Sequence, residues 1–170
     1  MNQRPIHISD THHEEHQIGE THPDRHTRYK LDKAAPRALV IHCADPRFQT
    51  AFRHFVTEEL GFNNYTPLVL GGGPHSFGIA DSRPESSDAL LEQVRVFLDL
   101  QKVKHLVIIN HENCLWYEQH KHLHPTIPPR EKALSDLRAA SAKLREDFPE
   151  IDIRAYWAAL DGDSVHFVEK

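Results

Sequence analysis

The two cysteines of this 170-residue chain each follow closely on a run of apolar residues, and this placement constrains the fold strongly. Cys43 comes after the run ALVI at 38–41, and Cys114 comes three residues after His111, which follows the run VKHLVIIN at 103–110. Runs of this kind are typical of buried parallel strands, and open α/β folds place their sites at the carboxyl ends of such strands. We therefore expect Cys43, His111 and Cys114 to meet at one edge of a parallel sheet.

The rest of the chain alternates predicted strands with predicted helices. The strands are predicted at 37–43, 66–70, 103–110 and 151–160, and the helices at 48–60, 88–102 and 130–148. A polar loop is predicted at 74–87, after a glycine-rich turn at 71–73. A tight turn at 161–163 then leads to a last strand at 165–168, which should pair antiparallel. The expected fold is α/β, with a mostly parallel central sheet of four strands plus an antiparallel C-terminal edge strand, flanked by helices.

Composition divides the chain at about residue 35. Residues 1–35 contain six of the fifteen histidines and few aliphatic residues, so they cannot order themselves by burying apolar surface. We predict a histidine-rich N-terminal arm over 1–35 and a single α/β zinc-binding domain over 36–170. The arm is either a solvated tail or a segment that lies on another subunit, and the second possibility favours a homodimer or higher homo-oligomer. Metal capture by His12, His13 and His16 is disfavoured because their spacing is irregular.

Charge and hydropathy exclude several classes of partner. The net charge of -5 provides no basic field to attract nucleic acid, and no apolar run is long enough for a transmembrane helix or a secretory signal. We therefore expect a cytoplasmic protein without nucleic-acid or membrane partners. Thiols stay reduced in that compartment, so the two cysteines are interpreted as metal ligands and not as a disulfide.

The expected cluster has the composition of a zinc site. Cys43, His111 and Cys114 provide two thiolates and one imidazole, which suit tetrahedral Zn²⁺ and leave a fourth position open, as catalytic zinc sites do. Asp45 and Arg47 alternate with Cys43, so an extended segment turns all three towards one region. The arginine keeps Asp45 ionised. Asp45 can then accept a hydrogen bond from a water at the fourth position, or be a possible fourth ligand itself.

Other interpretations of these residues are weaker. A closed structural site of Cys43, His111, Cys114 and Asp45 is disfavoured because structural zinc sites usually combine dense CxxC pairs. A cysteine nucleophile of the HCx₅R type fails because Gln49 stands where that pattern needs arginine. The glycine turn lacks the lysine and Ser/Thr of a phosphate loop. The alternating histidines near the prolines of 115–129 are candidates for a second metal site, but an exposed loop is the preferred interpretation. Those histidines are His120, His122 and His124.

The pattern CxDxR followed by HxxC resembles the signature of the β-class carbonic anhydrases. The matching residues are Cys43, Asp45, Arg47, His111 and Cys114. The segment 156–168 is also similar to the terminal hairpin of that family, so the resemblance covers about 37–168. It implies a zinc-dependent lyase, a carbonic anhydrase that reversibly hydrates its small-molecule substrate CO₂ to bicarbonate. It also implies zinc on the Cys, His and Cys residues, a catalytic Asp45 and Arg47 pair, and a dimer whose arm embraces its neighbour.

Two departures from the family leave the substrate open. Members usually carry Arg-Asn-Ala-Gly after the second strand and a glycine after the second cysteine, whereas this chain has LGGG at 70–73 and Leu115. The alternatives are a related hydrolase of COS or CS₂, which shares the zinc motif, and a non-catalytic zinc-binding protein that kept the metal site. His54 and His75 are candidate proton relays only because their segments neighbour the strand ends.

Overall fold

A five-stranded sheet forms the centre of the computed structural model, which describes residues 30–77 and 84–170. Its strands are β1 (Ala38–Cys43), β2 (Thr66–Leu70), β3 (His105–His111), β4 (Asp152–Asp161) and β5 (Ser164–Glu169). Their order across the sheet is β2-β1-β3-β4-β5. The first four strands pair in parallel, and β5 pairs antiparallel with β4 at the edge. The predicted α/β sheet is therefore confirmed.

The strand β1 is buried along its whole length because it lies between β2 and β3 and is covered on both faces. Its side chains alternate between two hydrophobic clusters. Leu39 and Ile41 face one cluster, together with side chains of the two long helices, and Ala38 and Val40 face the other. This explains why the sequence of the strand is a continuous apolar run and not a polar-apolar alternation.

Within the described residues, four α-helices connect and cover the strands. They are α1 (Gln49–His54), α2 (Pro84–Gln101), α3 (Leu115–His120) and α4 (Pro129–Asp147). The first continues as a wider π-helical turn over Phe55–Glu59, which was not predicted, and Gly61 follows with φ of 73°. The positive φ agrees with the left-handed helix end that the glycine predicted.

The predicted polar loop at 74–87 is wrong at both ends. Gly73–Phe77 form a 3-10 turn whose Phe77 is fully buried in the core. The helix α2 begins at Pro84, four residues before the predicted start at 88. Proline suits the first helical turn because its φ is already helical and it lacks an N–H that would need a partner there.

The histidine-rich arm predicted over 1–35 lies mostly outside the described residues, as do His12, His13 and His16. Residues Ala34–Lys170 form one compact unit. No helix in the described part of the chain is long and apolar enough to span a membrane.

Candidate metal centre

The three predicted ligands meet at the carboxyl edge of the sheet. Cys43 is the last residue of β1, His111 is the last residue of the adjacent β3, and Cys114 directly precedes α3. One donor atom from each lies within 4.8 Å of the others, and all three residues are buried. Within 30–77 and 84–170, this is the one group of three or more such donors placed to hold a metal ion. The parallel topology thus brings together residues that are 71 positions apart.

The spacing of the two sulfur atoms suits a shared ion. The Sγ atoms of Cys43 and Cys114 are 3.6 Å apart. Two thiolates that bind tetrahedral zinc at about 2.3 Å are about 3.8 Å apart, whereas a disulfide bond is about 2.05 Å long. Both cysteines are free thiols. The pair therefore has the separation of two ligands and not that of a disulfide.

The imidazole of His111 is oriented as a ligand would be. Its Nδ1 lies 2.9 Å from the carbonyl oxygen of Glu112, so Nδ1 carries the proton and Nε2 keeps a lone pair. The Phe48 ring packs against the imidazole with the ring centroids 4.0 Å apart. Nε2 is buried and has no hydrogen-bond partner, which is rare for a buried polar atom. A metal ion would satisfy this nitrogen, so the donor set fits the zinc that the sequence implies.

The two thiols influence each other's ionisation. The hydrogen bond from Cys114 lowers the pKa of Cys43 to about 4. The same bond raises the pKa of Cys114, because the Cys43 thiolate accepts its proton. Burial and the repulsion between two neighbouring thiolates raise that pKa further. A divalent cation between the sulfurs would remove that repulsion and favour both thiolates.

Asp45 is held by Arg47 beside this group. Nε and Nη2 of Arg47 donate to the two carboxylate oxygens at 3.0 and 2.7 Å, and the backbone N–H of Arg47 donates to Oδ1 at 3.1 Å. The side chain of Asp45 is 2% exposed. The hydrogen bond from Arg47 lowers the pKa of Asp45, so the carboxylate is ionised. Asp45 is not one of the donors in the close group.

Sequence reasoning missed two residues that shape this site. Asn113 has a φ of 51°, a left-handed conformation that asparagine tolerates, and its carbonyl accepts a hydrogen bond of 2.7 Å from Nη2 of Arg47. Arg47 therefore connects the two ligand segments. Gln49 donates from Nε2 to the carbonyl oxygens of Cys43 and Asp45, at 2.9 and 2.7 Å. A side-chain amide shortly after a strand end is only a weak signal in a sequence.

Comparisons with known proteins bear on the fold. No protein-family model and no curated protein matches the sequence. Solved structures do match. The β-carbonic anhydrase isoform I of Trichomonas vaginalis is 18% identical, with 85% of this chain and 88% of that chain covered and a TM-score of 0.51. The carbonic anhydrase of Streptococcus mutans is 16% identical, with 84% and 87% covered and a TM-score of 0.50.

This chain has the fold of the β-carbonic anhydrases. The resemblance that the CxDxR and HxxC patterns suggested is thus confirmed for the architecture. At this level of identity the similarity concerns the fold, and the chemistry has to be argued from the site.

A cleft of about 250 Å³ opens beside Cys43 and Asp45, and the glycine turn and the segment after Cys114 both line it. Trp116 lies against Gly71 and Gly72, where an added Cβ would come within 2.7 and 2.5 Å of the indole. The glycine turn and the segment after Cys114 therefore fit each other. The cleft is lined by Cys43, Ala44, Asp45, Gly71, Gly72, Leu115, Trp116, Gln119 and His120.

The other predicted roles of histidines concern the candidate proton relays His54 and His75 and the histidines at 120–124. Nδ1 of His75 donates a hydrogen bond to Oδ2 of Asp136 at 2.9 Å, and His75 lines a small cavity that Trp116 also lines. His54 lines a groove between α1 and β5. Neither lines the cleft beside Cys43. His120 is the last residue of α3, and His122 lies in a 3-10 turn over Lys121–Leu123, so this segment is more regular than the predicted exposed loop. The expectation that these histidines bind no metal stays a prediction.

Proposed function

We propose that this protein is a zinc-dependent carbonic anhydrase that reversibly hydrates CO₂ to bicarbonate. In this proposal Cys43, His111 and Cys114 bind the metal, and Asp45 and Arg47 are the catalytic residues. The observation that carries it is the buried Nε2 of His111, which lacks a hydrogen-bond partner and belongs to the same close donor group as two thiols.

Zinc is the metal that this donor set favours. Thiolate and imidazole ligands in tetrahedral geometry suit Zn²⁺, whereas Mg²⁺ and Ca²⁺ prefer oxygen ligands. When bound, zinc supplies a Lewis acid that makes a water molecule acidic enough to react with CO₂. Cys43, His111 and Cys114 would supply three ligands, which is the number that catalytic zinc sites take from the protein.

Asp45 is suited to orient the water. The carboxylate has about four acceptor positions, and Arg47 occupies three of them, two on Oδ1 and one on Oδ2. One position on Oδ2 remains for a hydrogen bond from the reacting water. Direct ligation of the metal by Asp45 would compete with Arg47 for the same oxygens. The tight pair with Arg47 therefore favours the open site over the closed one.

The cleft offers an apolar approach for the substrate. Ala44, Leu115 and Trp116 line it, so a linear molecule without hydrogen-bond donors loses little hydration by entering. COS and CS₂ share this shape and apolar character. They are the alternative substrates, and the same walls favour them.

The deciding experiment is stopped-flow CO₂ hydration by the zinc-loaded protein, with COS and CS₂ hydrolysis measured on the same sample. We expect hydration that disappears when the metal is chelated and returns with added zinc. Activity with COS or CS₂ alone would move the proposal to the alternative substrates. A fully zinc-loaded protein without any of the three activities would favour the non-catalytic zinc-binding alternative.

We also propose that the active form is a homodimer or higher homo-oligomer. The polar composition of 1–35 supports this, because such a segment gains order only against another surface. Light scattering at micromolar concentration should show more than one chain, and deletion of 1–35 should weaken the assembly.

A further inference from the structure

Glu112, the residue after His111, makes hydrogen bonds through its N–H, its carbonyl and both of its carboxylate oxygens. Its N–H donates to the carbonyl oxygen of Ala158 at 2.9 Å, and its own carbonyl accepts from Nδ1 of His111 at 2.9 Å. Its carboxylate accepts from the backbone N–H of Leu160 at Oε2 and from Nε of Arg130 at Oε1, each at 3.0 Å. The ordinary explanation is a structural tie between β3, β4 and α4.

The location of these bonds points to a more specific role. The strand β3 ends at His111, whose register partner in β4 is Ala158. Beyond that point β3 has no strand residue that could accept a hydrogen bond from the backbone N–H of Leu160. The Glu112 carboxylate accepts that bond instead. The peptide that follows His111 is thus anchored to β4 twice, through the N–H and through the carboxylate of Glu112.

That peptide also controls the orientation of the imidazole. Histidines that bind metals usually donate their second ring N–H to an outer partner, which fixes the tautomer and the ring plane. Here the partner is the backbone carbonyl of Glu112, so its position depends on how firmly residue 112 is held.

We propose that Glu112 is a positioning residue for the metal centre. Its carboxylate holds residue 112 against β4. The carbonyl of residue 112 in turn orients the imidazole of His111, so that Nε2 faces the sulfur atoms of Cys43 and Cys114. This rests on the metal site of the proposed function and not on the hydration reaction.

The experiment measures metal affinity, so it does not depend on catalysis. Co²⁺ affinity is determined by competition with a chelator for the wild type and for Glu112→Ala, Glu112→Asp and Arg130→Met. The sulfur-to-cobalt absorption band and the thermal midpoint of the metal-free protein are recorded beside it. Glu150→Ala, which removes an exposed acid, is the matched control.

We expect Glu112→Ala to lower Co²⁺ affinity by roughly 10 to 100-fold, as the loss of an outer-shell partner does. Glu112→Asp should show a smaller loss in the same direction, because its shorter side chain no longer reaches Leu160 and Arg130 together. Arg130→Met should lose less Co²⁺ affinity than Glu112→Ala, since the hydrogen bond from Leu160 to the Glu112 carboxylate remains. Glu150→Ala should bind Co²⁺ as the wild type does.

The outcomes separate the two roles. Unchanged Co²⁺ affinity in folded Glu112→Ala, with only a lower midpoint for the metal-free protein, would overturn the proposal and leave a structural tie. If Glu112→Ala does not fold, the affinity of Glu112→Asp decides in the same way. A wild type that binds no Co²⁺ would overturn the metal site and this proposal together, whereas absent CO₂ hydration with normal affinities would overturn the proposed reaction alone.

Discussion

The metal group at the edge of the sheet and the histidine segment at 120–124 both concentrate side chains that bind transition metals. Their organisation differs. In the first, Cys43 and His111 lie at the ends of two adjacent parallel strands, and Cys114 lies in the loop between β3 and α3. The second is local in sequence. Nδ1 of His120 lies 2.7 Å from the carbonyl oxygen of Trp116, and Nδ1 of His122 lies 3.1 Å from that of Gln119.

The difference separates a local run of histidines from a group of donors that distant parts of the chain bring together in space. In the first region all three donor residues are buried, and one donor atom from each lies within 4.8 Å of the others. In the second, His122 is exposed and its Nδ1 is already used by the backbone of its own turn. Convergence of distant strand ends, together with burial, makes the first region the better ligand set.

The largest expected effect is the loss of metal when a sulfur ligand is removed. Cys114→Ser should reduce the zinc content from about one per chain to nearly none, because the remaining two ligands no longer form the three-ligand set of a zinc site. The triple variant His120→Asn, His122→Asn, His124→Asn should keep the zinc content of the wild type. Elemental analysis of both proteins after dialysis checks this, and full zinc in Cys114→Ser would contradict the assignment.

A smaller effect is expected when the residues beside the metal are changed. Asp45→Ala should retain zinc and lose roughly 10 to 100-fold in CO₂ hydration, as expected for an outer-shell partner. Arg47→Ala releases the Asp45 carboxylate to bind the metal, so zinc should again remain while activity falls. Zinc content and hydration rate are measured together. Unchanged hydration in both variants would refute the catalytic role and leave a structural zinc site.

The smallest effect concerns the stability of the region behind the cleft. Burial would raise the pKa of Asp136, but hydrogen bonds from His75 and Lys132 outweigh it and lower the pKa. The stabilisation is therefore present above the unfolded pKa of about 3.9 and is lost as the pH falls through the lower folded value. Asp136→Asn should reduce the free energy of unfolding by about 1–3 kcal/mol near neutral pH and by less in acid.

The matched control for Asp136→Asn is Asp152→Asn. Asp152 is exposed, and the hydrogen bond from Arg154 lowers its pKa, so its removal should change stability by less than about 1 kcal/mol. Urea unfolding between pH 3 and 7 measures both variants. An equal loss in the two, or a loss in Asp136→Asn that does not depend on pH, would contradict the buried network.

The sequence predicted the sheet and the convergence of the ligands because both follow from local patterns. Apolar runs marked the strands, and the parallel arrangement placed Cys43 and His111 at the same edge. The contacts that complete the site depend on tertiary packing. The fit of Trp116 onto Gly71 and Gly72 joins segments about 45 residues apart, and the early start of α2 follows a turn whose Phe77 enters the core. Neither the Trp116 contact nor the early start of α2 produces a periodic pattern in the sequence.

X-ray absorption at the zinc K-edge of the loaded protein tests the central claim most directly, because it reports the atoms bound to the metal. A site at Cys43, His111 and Cys114 predicts two sulfur atoms at about 2.3 Å and a nitrogen at about 2.0 to 2.1 Å, with one further light atom. Cys114→Ser should show only a weak zinc edge, in line with its expected loss of metal, and any residual spectrum should contain at most one sulfur atom. A wild-type spectrum with nitrogen and oxygen neighbours alone would contradict the site and point to histidines elsewhere in the chain.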